Sequence, residues 1–188
     1  MSEIRIREAT AADAGEIAQV SIESWQTTYA GIVPRAALEN LDYAGRKERW
    51  AGRLNAPGMA RMIAVAENAQ GRIVGFAQGG PERGGDPDYR GELYSLYLVQ
   101  AYQAQGIGRR LVSWIARRLL AEGFDSMLVW ALRENPACRF YERLGGRFVR
   151  DDLFEMGGEL LTEVAYGWED IRPLVAMAFE GNASDEVG

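Results

Sequence analysis

The stretch "YQAQGIGRRL", Tyr102 to Leu111, puts two glycines and two arginines where one hydrophobic pattern hands over to another. Upstream, "GELYSLYLV" is a run of apolar and aromatic residues that reads as a strand. Downstream, Ile107, Leu111, Ile115 and Leu119 recur at fourfold spacing, which predicts a helix from about Gly108 to Glu122, with Gly123 placed to end it. A helix start leaves about four backbone N–H groups unpaired and carries roughly half a positive charge. Glycine lets another molecule approach that backbone closely. Together these make an anion site, most naturally for phosphate. Arg109 and Arg110 oppose the helix dipole in the first turn, and a bound anion would reverse that penalty. The other reading is a tight turn with two solvated arginines. A dinucleotide fingerprint needs a glycine where Leu111 stands, and a P-loop needs a Gly-Lys-Ser/Thr that this chain lacks.

The flanking elements define the fold class. "EIRIRE" alternates as a half-buried strand does, and Thr10 with Asp13 resembles a capping box before a helix through Ile17, Ala18, Ser21, Ile22 and Trp25. A second helical region is expected over roughly Arg35 to Leu54, punctuated near Gly45. "RMIAVAEN" and "RIVGFAQG" flank "AQG" as a hairpin, and "SMLVWAL" is a further strand. Asn135–Pro136 signals a helix start, with Asn as N-cap and Pro at the first helical position. Two more strands surround Gly157–Gly158. The order is strand, two helices, three antiparallel strands, helix, strand, helix, two strands: a mixed α/β domain over residues 1–168. A C-terminal extension, 169–188, carries one apolar patch, "PLVAMAF", and a polar end expected to fray.

Composition narrows the function. A chain of 188 residues with 47% apolar content suffices for one well-packed domain. The net charge of −6 argues against a nucleic-acid partner, fits a cytoplasmic protein and favours a cationic small-molecule substrate. No apolar run reaches the roughly 18–20 residues of a membrane span, and "MSEIRIREAT" does not read as a signal peptide. The single cysteine, Cys138, excludes an intrachain disulfide. Histidine is absent, which removes Ser–His and Cys–His nucleophiles and His-based zinc sites, and no metal is expected. Acid–base work would fall to Glu, Asp, Tyr, Lys, Cys or water.

Two spaced blocks resemble a known family. "LYLVQAYQAQGIGRRLV" is similar to the acyl-CoA signature of the GNAT N-acetyltransferase superfamily, Arg/Gln-x-x-Gly-x-Gly/Ala, here Gln103-Ala104-Gln105-Gly106-Ile107-Gly108. "LRENPACRFYERLGGRFV" resembles its second block, and the element order matches from Ile4 to Trp168. One departure is Gln100, where the family often has Pro. The resemblance implies a mostly antiparallel central sheet of about seven strands flanked by helices. It implies acetyl-CoA as co-substrate and direct transfer of its acetyl group to a primary amine of a small molecule or peptide in a ternary complex. The backbone from Ala104 to Arg109 would hold the pyrophosphate, and Leu96, Tyr97 and Leu98 would pair with the pantetheine arm as an added strand does.

Roles for single residues follow from the same resemblance. Tyr141 is the candidate acid for the leaving thiolate, since a phenol near pH 10 lies close above a thiol near 8.5; a core tyrosine packing its ring is the alternative. Glu92, at the start of the strand, is the candidate base, as in the histone-acetyltransferase branch; a strand-edge carboxylate facing solvent or holding a cationic substrate is the alternative. Asn135 either caps its helix, contacts the coenzyme arm, or does both. Trp25, Tyr29 and Trp130 are expected around the acceptor, and Cys138 is expected as a buried helix cysteine. A non-catalytic acyl-CoA sensor would need the phosphate site but neither Tyr141 nor Glu92. The tail's apolar patch would suit a homodimer.

Overall fold

A central sheet of seven strands runs in the order β1-β2-β3-β4-β5-β7-β6 in the computed structural model, which describes residues 3–56, 58 and 62–177. The strands are β1 (Arg5–Glu8), β2 (Ile63–Glu67), β3 (Ile73–Pro81), β4 (Gly91–Leu98), β5 (Met127–Leu132), β6 (Arg147–Met156) and β7 (Glu159–Trp168). All neighbours are antiparallel except β4 and β5. The helices are α1 (Ala14–Thr28), α2 (Arg35–Glu39), α3 (Tyr43–Asn55), α4 (Ile107–Ala121), α5 (Ala137–Arg143) and α6 (Arg172–Ala176). The expected α/β order and fold class hold.

Strand alternation sorts the core into two layers. In β2, Ala64 and Ala66 face α4, while Ile63 and Val65 face α1 and α3. The α4 side is lined with small residues because the helix lies close. A Cβ on Gly79 would collide with Ile115 of α4. Ile107, Leu111, Ile115 and Leu119, the fourfold series, are all at most 2% exposed.

One expectation is corrected. The helical region after Pro34 breaks at Asn40–Asp42 instead of Gly45. Asp42 caps α3 by accepting the Gly45 N–H at 3.0 Å, so Gly45 belongs to the first turn. The extension past Trp168 begins as core: Ile171 and Leu174 are 0% and 2% exposed, and Ser113 of α4 donates to the Val175 carbonyl at 3.3 Å. The polar end expected to fray lies outside the described residues.

The feature that positions the site is a split in the sheet. β4 and β5 pair only at Gly91–Leu93 with Met127–Val129, and both strands continue past the last pair. On the other edge of β4 the register to β3 shifts between Gln78 and Gly79, so that Tyr94 is the unmatched residue of a bulge. A bulge bends its strand and raises the local twist, which carries Ser95–Leu98 away from β5.

Candidate active site

A cavity of about 950 Å³ fills this split. Its walls are the end of β4, the turn into α4, the outer half of β5, the start of α5 and one side of α1; Met177 reaches it from the C-terminal extension.

The turn into α4 closes one end. Val99 is followed by a single 3-10 turn, Gln100–Tyr102, and the chain then takes positive φ at Ala104 (58°) and Gly106 (78°). Left-handed residues separated by one ordinary residue curl the backbone into a nest of N–H groups. Among the described residues none of the six N–H groups from Ala104 to Arg109 finds a protein acceptor; the bonds on either side are Gln103 N–H to Gln100 and Arg110 N–H to Gly106. A non-glycine residue at positive φ, here Ala104, is a strained choice that marks a functional turn. A Cβ on Gly108 would meet the Phe140 ring at 3.3 Å and Leu98 at 3.6 Å, taking up space on the cavity wall. Arg109 lines the cavity, and its Nε is buried without a partner among the described residues. Arg110 is instead drawn away, donating to the Ile4 carbonyl at 2.9 Å. These unfilled donors fit a multiply charged anion such as a pyrophosphate.

The β4 edge supplies the next stretch. Val99 N–H bonds the Val74 carbonyl of β3 at 2.9 Å, so by alternation the peptide groups of Leu98 and Leu96 turn into the split. The Leu98 carbonyl is already taken, by Ser24 Oγ at 3.1 Å and Gln103 Nε2 at 3.3 Å. Leu96 therefore offers the open backbone groups, with the Leu98 N–H. Tyr97 contributes its side chain instead. Its hydroxyl accepts from Trp25 Nε1 at 3.0 Å, and the neighbouring Tyr29 hydroxyl accepts from Asn135 Nδ2 at 3.2 Å. Burial raises the phenols of both Tyr29 and Tyr97 above the ordinary range, so both stay protonated.

Asn135 does two jobs at once. Oδ1 accepts the Ala137 N–H at 2.9 Å as a cap, and Nδ2 holds Tyr29. The cap sets α5 so that Tyr141, 5% exposed, borders the cavity from beside Phe140. Burial, and then the neighbouring Tyr97 and Cys138, push the Tyr141 phenol upward. Cys138 is buried, donates to the Leu132 carbonyl at 3.4 Å, and has its thiol raised by burial, as suits a structural cysteine.

Of the residues singled out in the sequence, Leu96, Tyr97, Leu98, Gln103, Ala104, Gly106, Gly108, Arg109, Asn135, Tyr141, Tyr29 and Trp130 all line this cavity. Gln105 turns its side chain back to the Ala101 carbonyl at 2.9 Å, and Ile107 is a core residue 2% exposed, so each offers only backbone. Trp25 lies in an adjoining cavity of about 390 Å³. Glu92 lines neither: it is 3% exposed, both of its oxygens are bonded by the Arg83 guanidinium, and the Arg83 N–H donates to it at 3.2 Å. A carboxylate engaged in this way and set outside both cavities is not placed to meet an amine bound in either. The expectation of Glu92 as base therefore has no support in this geometry.

Sequence reasoning missed the adjoining cavity. It shares Tyr94, Ser95 and Tyr97 with the larger one and is lined by Arg46, Arg49 and Arg53 of α3 together with Arg83. The available signal was the spacing 46, 49, 53, one helix face carrying arginine where apolar residues would be expected.

The site combines a nest with a split β4–β5 pair, and the comparisons give the chain its family. Residues 21–146 match the model of the acetyltransferase (GNAT) family. The chain belongs to that family and is an acyltransferase. It is 39% identical over 171 residues to the uncharacterized N-acetyltransferase YuaI of Bacillus subtilis, covering 91% of this chain and 96% of that one. A probable N-acetyltransferase of Mycobacterium tuberculosis, Rv2775, is 29% identical over 146 residues, covering 76% and 79%. Among solved structures, yncA of Salmonella typhimurium, a putative acetyltransferase with its cofactor acetyl-CoA, superposes with a TM-score of 0.65 at 23% identity, covering 89% of this chain and 94% of that one.

Proposed function

We propose that the protein transfers the acetyl group of acetyl-CoA to a primary amine by direct attack in a ternary complex. The observation that carries this reading is the run of six N–H groups, Ala104 to Arg109, without an acceptor among the described residues, at the head of a cavity that follows the β4 edge. The nest suits the pyrophosphate, and the open peptide groups of Leu96 and Leu98 suit the amides of an extended pantetheine arm. From Leu98 to Ser95 an arm of that kind travels roughly 10 Å at strand rise, which brings its acyl end to the bulge at Tyr94–Ser95, where the second cavity opens.

When bound, acetyl-CoA supplies a thioester carbonyl and a leaving sulfur. Tyr141 donates a hydrogen bond, and then its proton, to that sulfur. Its phenol is raised by burial, so it stays protonated until the leaving sulfur carries charge. The Tyr97 hydroxyl accepts from Trp25 Nε1, and burial keeps it protonated. Asn135 fixes Tyr29 and the start of α5, and so holds both phenols in register. Among the described residues no carboxylate lines either cavity; the amine attacks neutral, its nitrogen sheds one proton through water after attack, and a proton returns by water to the Tyr141 phenolate.

Acetyl-CoA-dependent thiol release, followed over a panel of amines, tests this reading. Turnover with at least one primary amine is expected. Hydrolysis alone, or no release at millimolar acetyl-CoA, would remove it.

A further inference from the structure

We propose that the acceptor is a small amine that also carries an anionic group, a carboxylate at amino-acid scale, seated among the arginines of the adjoining cavity. The proposal rests on the acetyltransferase reading above and names the substrate class of that same site.

The cavity of about 390 Å³ meets the larger one at Tyr94, Ser95 and Tyr97, the point the acyl end reaches along β4. Its volume suits a molecule the size of an amino acid. Among the described residues four guanidinium groups line it and no carboxylate does. Arg83 is neutralised from behind by Glu92. Among the described residues Arg46, Arg49 and Arg53 make no ion pair. Three guanidinium groups outside any ion pair thus face one small space in a chain whose net charge is −6, with Asp42 only a charge at longer range to Arg46. The expectation of a cationic substrate, drawn from that net charge, is reversed locally, because a substrate responds to the charges lining its cavity and not to the sum over the surface.

The arginines are held in place. Arg46 lies over the Trp25 ring at 5.3 Å and donates to Ser21 Oγ at 2.8 Å. Arg53 lies over Trp50 at 4.9 Å, with Gln78 Oε1 at 3.4 Å. Stacked guanidinium groups keep their N–H edges available for a carboxylate. Burial lowers both groups from the usual guanidinium range, and for Arg53 the charges of Arg49 and Arg83 lower it further. A bound anion would relieve this strain.

A second, independent feature places the amine. Ser95 Oγ is buried and has no partner among the described residues, and Ser95 borders both cavities. An unfilled hydroxyl at the junction suits an amine N–H arriving from the arginine side. The phosphates of the coenzyme are not an alternative occupant, since the nest lies at the opposite, C-terminal end of β4.

The test uses matched acceptors: L-α-amino acids, the same amino acids as carboxamides, and linear diamines, each assayed for thiol release and titrated calorimetrically into protein saturated with coenzyme A. Amino acids are expected to bind and turn over in preference to their amides. Arg49→Gln, at an exposed position, should raise the amino-acid KM about ten- to hundredfold, as for a lost charge-assisted hydrogen bond, while acetyl-CoA affinity stays constant. Preference for amides, diamines or peptides over free amino acids, or an unchanged KM in Arg49→Gln, would overturn the proposal and leave the transferase reading standing. Loss of acetyl-CoA binding by the unaltered protein would instead sink the transferase reading itself.

Discussion

Tyr141 is held by aromatic neighbours on its own helix and on β7, with Phe140, Tyr166 and Trp168 ring centroids 5.4–6.4 Å away. Packing of that kind fixes the hydroxyl without consuming it, as a proton donor needs. Tyr141→Phe keeps the ring and removes the donor. We expect kcat to fall by about 10²-fold, with acetyl-CoA affinity nearly unchanged. The phenol is raised by burial, so the protonated form persists through the ordinary tyrosine range; kcat should show no alkaline loss below about pH 10. A kcat equal to the parent's, or an alkaline limb near pH 9, would take Tyr141 out of the reaction. Glu92 teaches the opposite lesson. Its place at the start of β4 was readable, but its partner Arg83 sits nine positions back in the β3–β4 connection, and only the fold shows that the pair is closed.

At the scale of elements, much was legible because the signals are local. The fourfold spacing of α4, the Asn-Pro start of α5 and the paired glycines at 157–158 all depend on residues within a turn of each other. The bulge at Tyr94 was not legible: it arises from pairing of β4 with β3, a relation between distant segments. The arginine face of α3 was visible as spacing, yet only its packing over Trp25, Trp50 and β4 gives it meaning. The entry to α1 is secured by a charge cluster. Arg7 of β1 grips both Asp13 oxygens at 2.7 and 2.8 Å and Glu67 at 2.5 Å, while Asp13 also accepts the Thr10 N–H at 2.7 Å. Burial alone would raise Asp13, but the Arg7 and Thr10 hydrogen bonds outweigh it and hold the carboxyl below the usual range. A depressed carboxyl stabilises the fold above its unfolded pKa of about 3.9, and that stability is lost as pH falls through the folded value. Asp13→Asn should therefore cost about 2 kcal/mol at pH 7, with the difference from the parent narrowing below about pH 4 in thermal melts. An equal difference at pH 3 and pH 7 would contradict the clamp.

For the whole molecule, the sheet is a support for one opening: two helical layers brace it, and the proposed function puts coenzyme and acceptor together at the split between β4 and β5. The two motif blocks, read together, point to this because each describes one wall of the same cavity. Net charge does not describe the cavities, since it sums over the whole surface while the arginines of α3 line one small space. The central claim is that bare backbone from Ala104 to Arg109 holds the coenzyme. Calorimetric titration of acetyl-CoA into the parent, Gly108→Ala and Gly108→Val, each checked for an intact melting transition, tests it most directly. The account predicts tight binding by the parent, weaker binding by the alanine variant, whose Cβ falls 3.3 Å from the Phe140 ring, and loss of about 10²-fold or more in the valine variant. Folded valine protein that binds acetyl-CoA as the parent does would contradict it.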